Sequence, residues 1–287
     1  MSQPYTYGVS EFTTWPWTFE QDVERYARLG VGAIEVCEFK LSQEVSQAED
    51  QIASVRERGL TISSVQPRLH SLFPDAPRPE PKEPADRMAL YRRSIERFGR
   101  MAPGTTLVTI TGAAPGANFR GAFDVAVREY RALADFAADH GLRIALEPLN
   151  PILMNADTFL CSLPDALRVV HAVDRPNFGV FVDVWHVWQD VGAARHIADC
   201  GDRLFGVHVN DWHAPRCFGD RAVIGQGEIH LPPLLRAIHD TGYKGEYTLE
   251  LFSESWLPDS LWEGDLEAVI TQSRDALTSA WRQAGCH

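Results

Sequence analysis

Four short runs of apolar or β-prone residues each carry one carboxylate or imidazole at or near their C-terminal end. They are Ala145-Leu146-Glu147-Pro148, Val180-Phe181-Val182-Asp183, Gly206-Val207-His208-Val209 and Tyr247-Thr248-Leu249-Glu250. In a (β/α)8 barrel the C-terminal strand ends converge on one face, and that face carries the chemistry. Three carboxylates and one imidazole crowded at such a rim repel one another and lose solvation unless a cation joins them. The pattern therefore asks for a parallel barrel and a divalent metal ion together.

The rest of the chain supplies the barrel. Strand-like segments at Tyr5–Val9, Ala33–Cys37, Leu60–Gln66, Thr106–Thr111, Arg143–Glu147, Asn177–Val184, Leu204–Val209 and Glu246–Leu251 alternate with helical ones. The helices read as Phe19–Leu29, Gln43–Arg58, Ala85–Met101, Ala122–His140, Leu163–Ala172, Ala193–Cys200, Leu231–Thr241 and Leu266–Ala284. Several stop at a glycine, among them Gly30, Gly59 and Gly141, as a left-handed C-terminal residue requires. Eight β/α units with apolar strands predict an α/β protein, a single (β/α)8 TIM barrel occupying residues 1–287 as one domain. The Pro-rich stretch Phe73–Pro84 falls between the third strand and the third helix, so it reads as a loop on the active face. A doubly wound sheet normally carries a Gly-rich first turn. The turn here, Ser10–Thr18, has no glycine.

Composition excludes several classes. The net charge of −12, with no block of Lys or Arg, disfavours a nucleic-acid groove. No apolar run approaches the roughly 18 residues of a membrane span, and Met1-Ser2-Gln3-Pro4 shows no signal-peptide pattern. The five cysteines, Cys37, Cys161, Cys200, Cys217 and Cys286, form no CxxC pair. Reduced thiols and a cytoplasmic location are expected. Only three lysines occur, Lys40, Lys82 and Lys244, and none sits in a strand end of the core. That argues against a Schiff-base aldolase. No GxGxxG follows a strand, which argues against a nicotinamide enzyme.

Glu147, Asp183, His208 and Glu250 thus form the expected metal set. One divalent ion is predicted, Mn2+ first, with Mg2+, Co2+ or Zn2+ as alternatives for three oxygens and one nitrogen. Loop residues near the same rim are candidates for substrate contact: Trp15 and Trp17 in the first loop, Trp212 in the seventh, and Gln66 and His70 just past the third strand. Asn150 and Asn155 read first as turn residues.

These segments resemble the xylose-isomerase-like superfamily of (β/α)8 proteins, the sugar phosphate isomerases and epimerases. The resemblance rests on Leu146-Glu147-Pro148, Asp183-Val184-Trp185-His186, His208-Val209-Asn210-Asp211, Leu249-Glu250-Leu251 and Asp220-Arg221 followed by Gly225-Gln226-Gly227. It is closest in motif to the inosose isomerase and ketose 3-epimerase relatives. It implies that Glu147 and Glu250 are both ligands and acid/base catalysts, and that His186 and Arg221 contact the substrate. It implies an isomerase or epimerase of a sugar, keto-sugar or cyclitol working through a metal-stabilised enediolate. The segment after Glu147, Pro148–Met154, lacks the acid that ketose 3-epimerases place there, which puts C3 epimerisation of a free ketose in doubt. A lyase, either a dehydratase or a deglycosylase, could use the same intermediate. More distant alternatives are an endonuclease-IV-like phosphodiesterase, which needs further histidines on the earlier strands and an Asp-x-His where this chain has Asp220-Arg221-Ala222, and a non-catalytic sugar-binding protein. The expected partner is a small, unphosphorylated sugar or cyclitol, with no nucleic acid and no membrane, and a homo-oligomer is left open.

Overall fold

The computed structural model describes residues 4–214 and 219–286; Met1–Gln3 and Cys217 lie outside the described residues. Strands β1 (Tyr7–Ser10), β2 (Ala33–Cys37), β3 (Thr61–Gln66), β4 (Thr106–Thr109), β5 (Arg143–Leu146), β6 (Phe178–Asp183), β7 (Leu204–Val209) and β8 (Tyr247–Leu249) close in sequence order into a parallel barrel. Helices α1 (Phe19–Leu29), α2 (Val45–Glu57), α3 (Pro84–Met101), α4 (Phe119–Asp139), α5 (Leu163–Val173), α6 (Val184–Val187), α7 (Ala193–Ala198), α8 (Leu231–Asp240) and α9 (Leu266–Gln283) connect them. The (β/α)8 barrel read from the alternation is the fold found.

Local chemistry sets the boundaries. Thr18 and Gln21 form a reciprocal capping box that starts α1, and Gly30 ends it at φ 71°. Helix α4 begins three residues before the sequence pattern places it, because the Asn118 side chain accepts from Gly121 N and caps the helix there. The sixth strand stops at Asp183 rather than Val184. The Asp183 carboxylate accepts from Trp185 N at 2.7 Å, so the chain turns at once into α6. The fourth strand stops at Thr109, since Ile110 leaves the ladder for a bridge with Ser71.

Register then places the polar residues. Asp183 on β6 lies directly opposite His208 on β7. Glu147 and Glu250 immediately follow β5 and β8, and their amides extend the ladders to Thr109 O at 2.9 Å and Val209 O at 3.2 Å. Beneath them Val108, Ala145, Phe181 and Phe205 fill the barrel interior. Gly206 is required there: a Cβ on it would stand 2.1 Å from the Phe181 ring.

Candidate metal centre at the barrel mouth

The four strand-end residues come together. His208 Nδ1 is 3.3 Å from Glu250 Oε2, 3.7 Å from Glu147 Oε1 and 3.9 Å from Asp183 Oδ2. All four residues are buried. Glu147 Oε1, Asp183 Oδ2 and His208 Nδ1 have no hydrogen-bond partner among the described residues, although each is shielded from solvent. Such atoms are costly to bury unless something compensates them. Donors that share a small divalent ion at roughly 2.1 Å stand about 3–4 Å apart. Two sets of ligand atoms gather here, one from Glu35, His208 and Glu250 and one from Glu147, Asp183 and His186, each set within 4.8 Å of one another. The spacing about His208 Nδ1, the burial and the unsatisfied atoms suit a cation at this mouth.

Electrostatics agree. Burial pushes the Glu147 carboxyl up to about 8, with the Glu250 and Asp183 charges adding to the effect. Burial also raises Glu250. For Asp183 burial acts in the same direction, but the His186 imidazole, the Arg221 and His208 charges and the hydrogen bond from Asn210 outweigh it and hold that carboxyl low. Burial disfavours a charged His208, yet the Glu250 and Glu35 carboxylates carry it well above the usual imidazole range. A proton on His208 occupies the place a cation could take, so the two compete.

The remaining predicted residues divide. His186 joins the site: its Nε2 is 3.7 Å from Asp183 Oδ2 and 3.9 Å from Glu147 Oε1. Its Nδ1 accepts from Asn150 N at 2.9 Å, which leaves Nε2 as the protonated nitrogen. Burial, with Arg221 nearby, lowers His186 to about 3, so the ring is neutral. Arg221 is buried with its guanidinium carbon 3.3 Å from the centre of the Trp185 ring, and it feels the charges of Asp183, Glu250 and Glu147. Trp15 is 44% exposed, stacks on Phe12 at 5.8 Å and neighbours Trp262 at 6.5 Å; Phe12 in turn meets Phe252 at 4.8 Å. Trp17 packs beneath Arg25 of α1 at 4.4 Å, on the helical layer. His70 is engaged by Pro67 O at 2.9 Å and by the Arg78 guanidinium at 3.0 Å. Gln66 is buried at the end of β3. Trp212 lies 6.1 Å from Trp188, half-buried against the core. Lys40 is committed to Asp22 at 2.6 Å and to Thr14 O at 2.9 Å.

One site residue escaped the sequence reading. Glu35, inside β2, is fully buried, and both its oxygens lie 3.0 Å from His208 Nε2. Its signal was a lone acid within Ala33-Ile34-Glu35-Val36-Cys37, the same kind of signal that marked the other strands. A cavity of about 430 Å³ lined by Ser63, Arg143, Phe205, Lys244 and Glu246 opens at the opposite, N-terminal end of the barrel. The chemistry belongs to the mouth, where strand ends rather than strand starts meet.

A closed parallel barrel with a buried polar mouth places the molecule in the TIM-barrel class. Within that class, residues 23–279 match the family described as xylose isomerase-like TIM barrel, and the chain belongs to it. The chain is 32% identical over 123 residues to L-ribulose 3-epimerase of Methylomonas sp., a stretch covering 42% of this chain and 39% of that protein. It is 28% identical over 252 residues to 3-dehydroshikimate dehydratase of Pseudomonas aeruginosa, covering 83% of this chain and 37% of that one. The matched stretches span about two fifths of these relatives' length. The crystal structure of the IOLI protein with a zinc atom superposes with a TM-score of 0.79 at 18% identity, over 97% of this chain and 99% of that one. No helix among the described residues is long and apolar enough to cross a membrane.

Proposed function

We propose that the protein is a divalent-metal-dependent isomerase or epimerase acting on a sugar, keto-sugar or cyclitol, with Glu147 and Glu250 as the acid/base pair. The observation that carries this reading is the set of three buried ligand atoms without a hydrogen-bond partner among the described residues, Glu147 Oε1, Asp183 Oδ2 and His208 Nδ1, gathered with Glu250 at the barrel mouth. The zinc atom of the IOLI structure and the epimerase relative support it.

A divalent ion in this position supplies positive charge beside the substrate oxygens, which lowers the cost of removing a proton from the adjacent carbon. Glu147 and Glu250 follow β5 and β8, which are not adjacent strands, and so reach the substrate carbon from different sides. One carboxylate removes the proton and the other returns one. His186 offers its Nε2–H to a substrate oxygen, and Arg221, flattened on Trp185, offers charge and donors beside it. The aromatic wall of Phe12, Trp15, Phe252 and Trp262 covers the apolar C–H face of a sugar ring.

The second reading is a lyase. The dehydratase relative favours it, because that match runs over 83% of this chain. Loss of a hydroxyl or other group β to the deprotonated carbon needs the same first step.

The test is incubation of the metal-loaded protein with keto-sugars, inososes and other cyclitols in D2O. Deuterium incorporation at carbon, with or without net conversion, is expected for at least one class. Absence of exchange in all of them would count against proton abstraction. Formation of an unsaturated product would select the lyase.

A further inference from the structure

We propose that Glu35 is the positioning residue of this metal centre, holding the His208 ring so that Nδ1 faces Glu147, Asp183 and Glu250; the inference rests on the metal reading above. Glu35 is an acid in the interior of a strand, with no exposed surface. Burying a carboxylate is costly unless hydrogen bonds satisfy it. Here they do. Ser64, its register partner on β3, donates to Oε2 at 2.5 Å, Ser10 on β1 adds a further side-chain hydrogen bond, and His208 Nε2 lies 3.0 Å from each oxygen.

The consequence is directional. A carboxylate only accepts, so Nε2 must carry a hydrogen, and in the neutral ring the lone pair then belongs to Nδ1. That atom is the one placed 3.3–3.9 Å from the three carboxylates. The Phe181 ring, 4.4 Å away and inclined at 57°, packs against the imidazole and limits its rotation. Glu35 therefore reaches across the barrel interior, from β2 to β7, to fix one tautomer and one orientation. Outer partners of this type raise the ligand's basicity as well as orienting it.

Glu35→Gln keeps the shape and removes the charge; Glu35→Leu removes the acceptor. Zn2+ and Mn2+ affinities measured by chelator competition should fall about 10–100-fold in Glu35→Gln and further in Glu35→Leu. Circular dichroism of each variant should match the native protein. A low-field Nε2–H proton resonance of His208, visible by 15N-edited NMR with or without metal, should move upfield in Glu35→Gln and vanish in Glu35→Leu. Should the leucine variant fail to fold, the glutamine variant carries both measurements. Affinities within twofold of native in Glu35→Gln, with an unmoved resonance, would overturn the role of Glu35 while leaving the metal centre standing. If the native protein bound no ion, the metal reading would fail instead, and the resonance alone would decide whether Glu35 holds His208.

Discussion

The segment that brings Arg221 to the barrel mouth hangs on one buried carboxylate. Asp211 Oδ1 accepts from Trp212 N at 2.9 Å and Ile229 N at 3.0 Å, while Oδ2 accepts from Gly225 N at 2.9 Å and Gly227 N at 3.0 Å. Ala222 N adds a bond to Asp211 O at 2.8 Å, and Arg221 N is held by Phe252 O at 2.8 Å. The fit leaves no slack, since a Cβ on Gly227 would lie 2.2 Å from Asp211 Oδ1. Asp211→Asn replaces one acceptor oxygen with an NH2 that faces two backbone N–H groups. Hydrogen bonds to a charged group contribute roughly 1.5–3 kcal/mol each, and a buried donor left without a partner costs a comparable amount. Losing two of the four therefore costs about 3–6 kcal/mol. That is a large part of the roughly 5–15 kcal/mol that keeps a domain folded. Urea unfolding followed by tryptophan fluorescence reads the loss, and it should come with a raised KM as Arg221 loses its seat. An Asp211→Asn protein within about 1 kcal/mol of native stability, with an unchanged KM, would refute the view that this carboxylate organises the loop.

Other expectations follow from the same geometry. Glu147→Gln and Glu250→Gln should each lower kcat by about 10²-fold or more, and in D2O each should suppress exchange from one face of the substrate carbon; equal retention of both exchanges would contradict the two-sided assignment. Trp15→Ala should raise KM roughly three- to tenfold with kcat little changed, as loss of uniform binding does. The loop that follows β3 should make the fold acid-sensitive. His70 is held neutral down to about 3, first by burial and then by Arg78, whereas the unfolded ring takes a proton near 6.5. Burial works against the Asp75 carboxylate, but Arg78 outweighs it and lowers that group below its unfolded value of 3.8. In both cases the unfolded chain binds the proton first, so stability is complete above about pH 6.5 and falls as the pH drops from there toward 3. A His70→Gln protein should show a flatter acid limb in urea titrations at pH 4 to 6, and an identical slope would speak against the buried neutral ring.

The barrel and its four strand ends were legible because strands buried on both faces are apolar, so a single charged residue in one is conspicuous. Glu147, Asp183, His208 and Glu250 each stand out in this way, and the structure gathers all four. Glu35 carried the same signal and was passed over. It lies inside its strand rather than at the end, and its partner, 173 positions away, becomes visible only once the barrel closes. Loop residues were less readable. Trp15 and Trp17 are two positions apart, yet one faces Phe12 and Trp262 and the other lies under Arg25, a choice made by the turn into α1. His70 follows the third strand as expected, but Arg78, supplied by the loop beyond it, takes its ring. The sequence pattern also placed the sixth strand's end one residue late, because the capping bond from Trp185 N to Asp183 belongs to tertiary placement as much as to propensity.

The central question is whether a cation sits among the four strand-end residues. Elemental analysis of the purified protein after loading with Mn2+, Co2+ or Zn2+ and removal of excess metal answers this directly, with His208→Ala and Glu147→Gln treated in parallel. About one divalent ion per chain in the native protein, and a large loss in both variants, is the predicted result. A native protein that retains no divalent ion under any loading condition, or variants that retain as much as the native chain, would contradict it.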